Sequence, residues 1–232
     1  MQKSLDNDFI LVIGAKPEFK IPNLEFQYIY AANGAIERAK YFKNSNSNYN
    51  FELISVVGGK EFEKNDEVKT RVLDSHLDKM VCRLGKIDTQ KYEKLNNVKF
   101  QYLNNSQQIR FQSAFFRFGL LEIIFQESFY EKEFIKKIKH LFNAFKSSSL
   151  VGVSTGFFSI LYALSNHPKK KILIAGIGMS GGSHMYSDAN RYNKRSIVDR
   201  RLMLSLKDKF KSRLYTTDID LSKFCDLKYF KD

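Results

Sequence analysis

The chain has 232 residues, 43% hydrophobic and 27% charged, an ordinary globular composition and long enough to bury a core without disulfides or a structural metal. Lys and Arg number 38 against 25 Asp and Glu, a net charge of +13 that points to an anionic partner: nucleic acid, a phosphorylated substrate or an acidic membrane surface. Two cysteines, Cys82 and Cys225, make neither a disulfide framework nor a metal cluster, and no stretch reaches the ~20 apolar residues that cross a bilayer.

Met1 to Asp8 is polar and the apolar run after it is too short for a signal peptide, so a cytoplasmic protein, at most peripheral to the membrane, is expected. Phe9-Ile-Leu-Val-Ile-Gly14 reads as a strand buried on both faces of a parallel sheet. Gln27 to Ala32 predicts a second strand, closed by Asn33-Gly34 and followed by a helical stretch from Ala35 to Phe42. Phe51 to Val57 is a third strand, and Gly58-Gly59 turns the chain into a helix reaching Leu73. Met80 to Leu84 and Val98 to Leu103 are further strands.

From Phe115 to Phe145 the pattern becomes helical. Phe134, Ile135, Ile138, Leu141, Phe142 and Phe145 share one face opposite Lys132, Lys136, Lys137, Lys139 and Lys146. Such a helix either packs its apolar side on the core or lies on an anionic membrane. Ser154-Thr155 caps a helix through Leu164, Lys171 to Gly176 is another buried strand, and a polar loop runs from Ile177 to Arg195. Ser196 or Asp199 starts the final helix, and Arg213 to Thr216 forms a short closing strand. Strands separated by helices predict one α/β domain over residues 1–232: a three-layer α/β/α fold on a mainly parallel, twisted, Rossmann-like sheet.

Open sheets of this kind bind ligands beyond the carboxyl ends of their strands. Gly14-Ala15-Lys16 occupies such a position, yet neither a Gly-x-Gly-x-x-Gly fingerprint nor a Walker-type loop occurs. Asn33 either reads a base or ribose with its amide or serves only as a turn residue beside Gly34. Ser154, Thr155 and Gly156 set hydroxyls and backbone donors at a helix N-terminus, which suits a phosphate or carboxylate and equally makes a plain cap. Gly178-Met-Ser-Gly-Gly182 matches the nucleophile elbow of α/β hydrolases. No helix is expected directly after its serine, and no histidine follows His184, so a hydrolase is rejected. His184, Tyr186, Asp188 and Arg191 crowd one glycine-flexed loop, where His184 is the candidate for proton transfer. With Asp188 alone beside it, a zinc site lacks ligands.

Taken together, these residues resemble the sialyltransferases, both the animal family and the single-domain bacterial one. Val153 to Leu164 followed by Lys171 to Gly178 is similar to their small sialyl motif, a Ser-Thr-Gly helix start before a strand that ends in glycines. Ser183-His-Met-Tyr-Ser-Asp188 is similar to the His-Tyr-aromatic-acid motif of the animal enzymes. Gly14 to Pro17 and Ala32-Asn33 echo the donor-binding strands, and Asp199 to Tyr215 aligns with the last motif. Ala15 replaces the asparagine of Gly-Asn-Gly, Gly178 replaces an aspartate of the bacterial family, and Lys194 falls where both families place a catalytic histidine.

The resemblance implies a GT-A-variant-like fold and transfer of an acidic sugar (sialic acid, Kdo or a related ulosonic acid) from a CMP-sugar to a bacterial-type surface glycan or glycolipid, without a metal. It implies that Gly14, Ala15, Lys16, Asn33, Gly176 and Gly178 surround the donor, with Asn33 and the Gly14 turn on cytidine, while Ser154, Thr155 and Gly156 hold its phosphate or carboxylate. His184 is then the general base, Asp188 its orienter or substitute, and Tyr186, Arg191 and Lys194 phosphate contacts. Without a base, retention of configuration becomes the alternative. The loop from Gly178 to Arg195 is expected to act as a lid. The competing class is a basic nucleic-acid binder, suggested by the charge and by 12 Tyr and 21 Phe. Most of those aromatics lie in apolar runs, which favours the enzyme and no nucleic-acid partner.

Overall fold

A computed structural model describes residues 8–39, 51–128, 135, 152–179 and 194–231. Its centre is an open sheet of eight strands, every pair parallel. The strands are β1 (Phe9–Ile13), β2 (Tyr28–Ala32), β3 (Glu52–Gly58), β4 (Lys79–Arg83), β5 (Lys99–Leu103), β6 (Lys171–Ala175), β7 (Leu214–Thr216) and β8 (Lys228–Tyr229). Their spatial order is β5-β4-β3-β2-β1-β6-β7-β8. The chain therefore walks outward from β1 to β5, returns across the sheet, and restarts beside β1 with β6. The order reverses between β1 and β6.

The strand sequences explain the two covered faces. Along β1, Ile10 and Val12 enter one core cluster while Phe9, Leu11 and Ile13 enter the other, and β6 divides in the same way. A continuous apolar run is what burial on both faces requires. On one face lie a 3₁₀ helix (Asn33–Ala39), α1 (Gly59–Lys64) and α2 (Asp66–Leu73), contributing Ala35, Ile36, Phe62, Val68 and Val72. On the other lie α3 (Asn105–Ser113), α4 (Leu120–Ser128), α5 (Thr155–Asn166), α6 (Lys194–Leu204), the short α7 (Asp208–Lys211) and α8 (Ile219–Cys225). From Phe157 to Leu164, α5 is buried on all sides, spanning the middle of the sheet.

Several boundaries differ from expectation. The segment after β2 is a 3₁₀ helix from Asn33, and the expected single helix before Leu73 breaks at Asn65, whose side chain caps α2 through the Val68 amide. β7 does not close the sheet. Asp218 caps α8, and β8 follows as the exposed edge. α3 carries no apolar signature because its fully buried residues are Gln108 and Gln112. The basic amphipathic stretch beyond Ser128 lies, except for Ile135, outside the described residues.

Candidate site at the carboxyl edge

The reversal between β1 and β6 brings two glycine turns side by side. Beyond the strands the Gly14 amide donates to the Ala175 carbonyl and the Lys16 amide to the Gly176 carbonyl, both at 2.8 Å. A Cβ on Gly14 would stand 2.3 Å from the Gly176 oxygen and 2.5 Å from Ile177 Cγ1, so the approach requires glycine. Gly176 has φ +68, and Phe19 fills the space its Cβ would take. Ala15 is buried and Gly178 is exposed. Both turns lie at one sheet edge, as the sequence predicts, and they pack on each other.

α5 runs antiparallel to the strands, so its N-terminus reaches the same edge. A Cβ on Gly58, at the end of β3, would lie 3.7 Å from Thr155 Oγ1, and one on Gly156 would lie 3.4 Å from Ile177 Cγ2. Ile177 thus separates the Gly14 turn from the start of α5. Ser154 is the cap, its Oγ accepting from the Phe157 amide at 3.3 Å. By helix geometry the Thr155 and Gly156 amides have no intrahelical acceptor. Asn33, at φ 50, accepts from the Gly58 amide through Oδ1 at 3.0 Å, which ties the ends of β2 and β3 together.

A clamp that the sequence reading missed fixes this N-terminus. Arg83, at the end of β4, is fully buried. Its guanidinium donates to the carbonyls of Ser154 (2.9 Å) and Val153 (3.0 Å) and to Gln108 Oε1 (2.9 Å), and it lies 4.4 Å from the Phe158 ring centroid. Gln112 Oε1 accepts from the Val153 amide at 2.8 Å, and Asp199 Oδ1 from the Ser154 amide at 3.0 Å. Side chains from β4, α3 and α6 therefore hold three consecutive peptide units. The one available sequence signal was an arginine ending the apolar run Met80-Val-Cys-Arg83.

Lys16 is half-buried. Its Nζ pairs with Asp218 Oδ2 at 2.7 Å. Burial pushes the Asp218 carboxyl up, but the Lys16 hydrogen bond and the Leu221 and Asp220 amides outweigh it and hold it below the usual carboxylate range. His184, Tyr186, Asp188 and Arg191, and most of the expected lid, lie outside the described residues. Lys194 opens α6. Among the described residues no three His, Cys, Asp or Glu side chains gather to hold a metal.

The opposite edge has a wide hollow of about 640 Å³ lined by Asp74, His76, Asp78 and Lys94. Lys94 pairs with Asp74 at 2.7 Å and Asp78 accepts from the Leu53 amide at 2.7 Å, so these groups serve the fold. The carboxyl edge, with its order reversal and helix N-terminus, is the better candidate on topological grounds.

The fold is that of an open, Rossmann-like α/β protein whose strand order reverses between β1 and β6. No family model, curated protein or solved structure matches the chain. Among the described residues no helix is long and apolar enough to cross a membrane.

Proposed function

We propose that the chain is a glycosyltransferase that moves an acidic sugar, sialic acid, Kdo or a related ulosonic acid, from a CMP-sugar to a surface glycan or glycolipid. The observation that carries the reading is the N-terminus of α5 at the carboxyl edge, with Ser154, Thr155 and Gly156 beside Gly58 and Ile177. Its unpaired amides and dipole favour a phosphate or carboxylate. The charge of +13 fits a doubly anionic donor and an acceptor at an anionic membrane. On this reading the enzyme works in the cytoplasm, in peripheral contact with the membrane's inner face, and needs no metal.

His184 takes the acceptor hydroxyl proton, the freed oxygen bonds to the anomeric carbon, and the bond to CMP breaks with its electron pair on the phosphate oxygen. Asp188 orients His184 or substitutes for it as base, and Tyr186, Arg191 and Lys194 contact the departing phosphate, the two cations offsetting its charge. Because Lys16 is paired with Asp218, it contributes to the donor only after exchanging that partner.

Calorimetry with CMP against an RNA oligomer tests the reading. CMP should bind, and Thr155→Ala should weaken it by about 1–3 kcal/mol through the loss of a buried partner. Tight, salt-steep oligomer binding with none for CMP would identify a nucleic-acid binder instead.

A further inference from the structure

Residues 16–20, between β1 and β2, cross the carboxyl edge and are tied down at several points. Lys16 pairs with Asp218 beyond β7. The Thr217 hydroxyl donates to the Lys20 carbonyl at 2.9 Å, and Arg38 Nη2 donates to the Pro17 carbonyl at 2.9 Å. In the middle of this crossing the Phe19 ring presses on Gly176, where an added Cβ would meet Cδ1 at 2.4 Å. The Arg38 guanidinium carbon lies 5.5 Å from the ring's centroid, and Arg38 Nε is buried without a hydrogen-bond partner.

Bare backbone on one side, a guanidinium near the ring and a buried unanswered N–H form an environment suited to a planar ring with polar edges. A phenyl ring fills the space and supplies the π surface for the cation, but it has no acceptor for Nε. A nucleobase has both. The slot also adjoins the β6 turn at the order reversal, the crevice where open α/β sheets take ligands.

We propose that Phe19 occupies a nucleobase subsite and that residues 16–20 form a strap that swings aside when a nucleotide enters, so the protein rests in a self-blocked state. The strap is held by one ion pair, three hydrogen bonds (the Lys16 amide to the Gly176 carbonyl among them) and one ring, all of which release together. Its opening frees Lys16 from Asp218 and offers the ammonium to the nucleotide's phosphate. The proposal rests on reading this edge as a nucleotide site.

Calorimetric titration of CMP, UMP, AMP and GMP into wild type, Phe19→Ala and Asp218→Asn tests both ideas separately. Asp218→Asn keeps a helix-capping side chain and removes the strap's ionic anchor, so it decides the matter if Phe19→Ala fails to fold. A strap closed nine-tenths of the time lowers apparent affinity about tenfold, so both variants should bind CMP more tightly, Phe19→Ala by about that factor. If the variants gain affinity for another nucleotide and none for CMP, the strap stands and the cytidine assignment falls. Wild type binding CMP as well as both variants would overturn the strap and leave the nucleotide site. Binding of no nucleotide by any of the three would overturn both.

Discussion

Arg83 Nη1 stands 2.9 Å from the carbonyl oxygen of Ser154, 71 residues further along the chain. This contact joins the end of β4 to the start of α5 and fixes the direction of that helix's first turn. Replacing Arg83 by Met leaves the Val153 and Ser154 carbonyls and Gln108 Oε1 without this donor, a loss of roughly 3 kcal/mol of stability. Hydrogen exchange should show the first turn of α5 losing protection before the β1–β6 ladder does. Equal protection in variant and wild type would show that the guanidinium does not order the turn.

Gly152 has φ +87, and a Cβ there would stand 2.0 Å from Gln112 Oε1. Gly152→Ala should therefore destabilise by roughly 2–4 kcal/mol, combining a strained backbone with overpacking. In the Gly152→Ala, Gln112→Ala pair, urea denaturation should give a smaller loss than the sum of the singles, because one substitution removes the atom the other collides with. Strict additivity would place the strain elsewhere.

His167 ends α5 at the opposite edge, its Nε2 2.9 Å from the Tyr30 hydroxyl. Burial, then Lys170 and Arg213, hold the His167 pKa below its usual value, while burial pushes the Tyr30 phenol up. A neutral phenol and a neutral imidazole therefore share this hydrogen bond. Because the folded-state pKa lies below the unfolded one, the unfolded chain binds the extra proton. The contribution is present above pH ~6.5 and is lost as pH falls through the folded value. Thermal unfolding followed across pH 5–8 should show this fall in wild type and a flatter profile in His167→Gln. Matching profiles would remove His167 from the account.

For the proposed reaction, His184→Ala should cut turnover roughly 10²–10⁴-fold with donor affinity little changed. Steady-state kinetics on the isolated variants would measure it. Turnover that survives in His184→Ala but collapses in Asp188→Ala would assign the proton transfer to the carboxylate.

The sheet was legible wherever burial on both faces dictated an apolar run, as in Phe9–Ile13 and Lys171–Ala175. The cap at Ser154 was legible because capping is local chemistry. α3 was not, since its buried side is Gln108 and Gln112, whose polarity matches the Arg83 network rather than a helical apolar stripe. β8, two exposed residues long, carries no pattern at all. Gly14 and Gly176 were legible as special positions, but what they approach closely is each other's turn and Phe19. Lys16 read as a donor contact, and its pairing with Asp218, 202 residues away in sequence, left no local signal.

β1 pairs with β2 on one side and with β6 on the other, Phe9 lying opposite Lys171. During synthesis the β2 side can be satisfied within seconds, whereas the other side waits for a strand roughly 160 residues later, about 8–30 s at 5–20 residues per second. Throughout that interval the most apolar strand of the sheet presents an unpaired edge in the emerging chain. The nascent protein is most prone to self-association then, and a chaperone that shields residues 9–13 until Ala175 has left the ribosome would raise the folded yield more than one supplied after release.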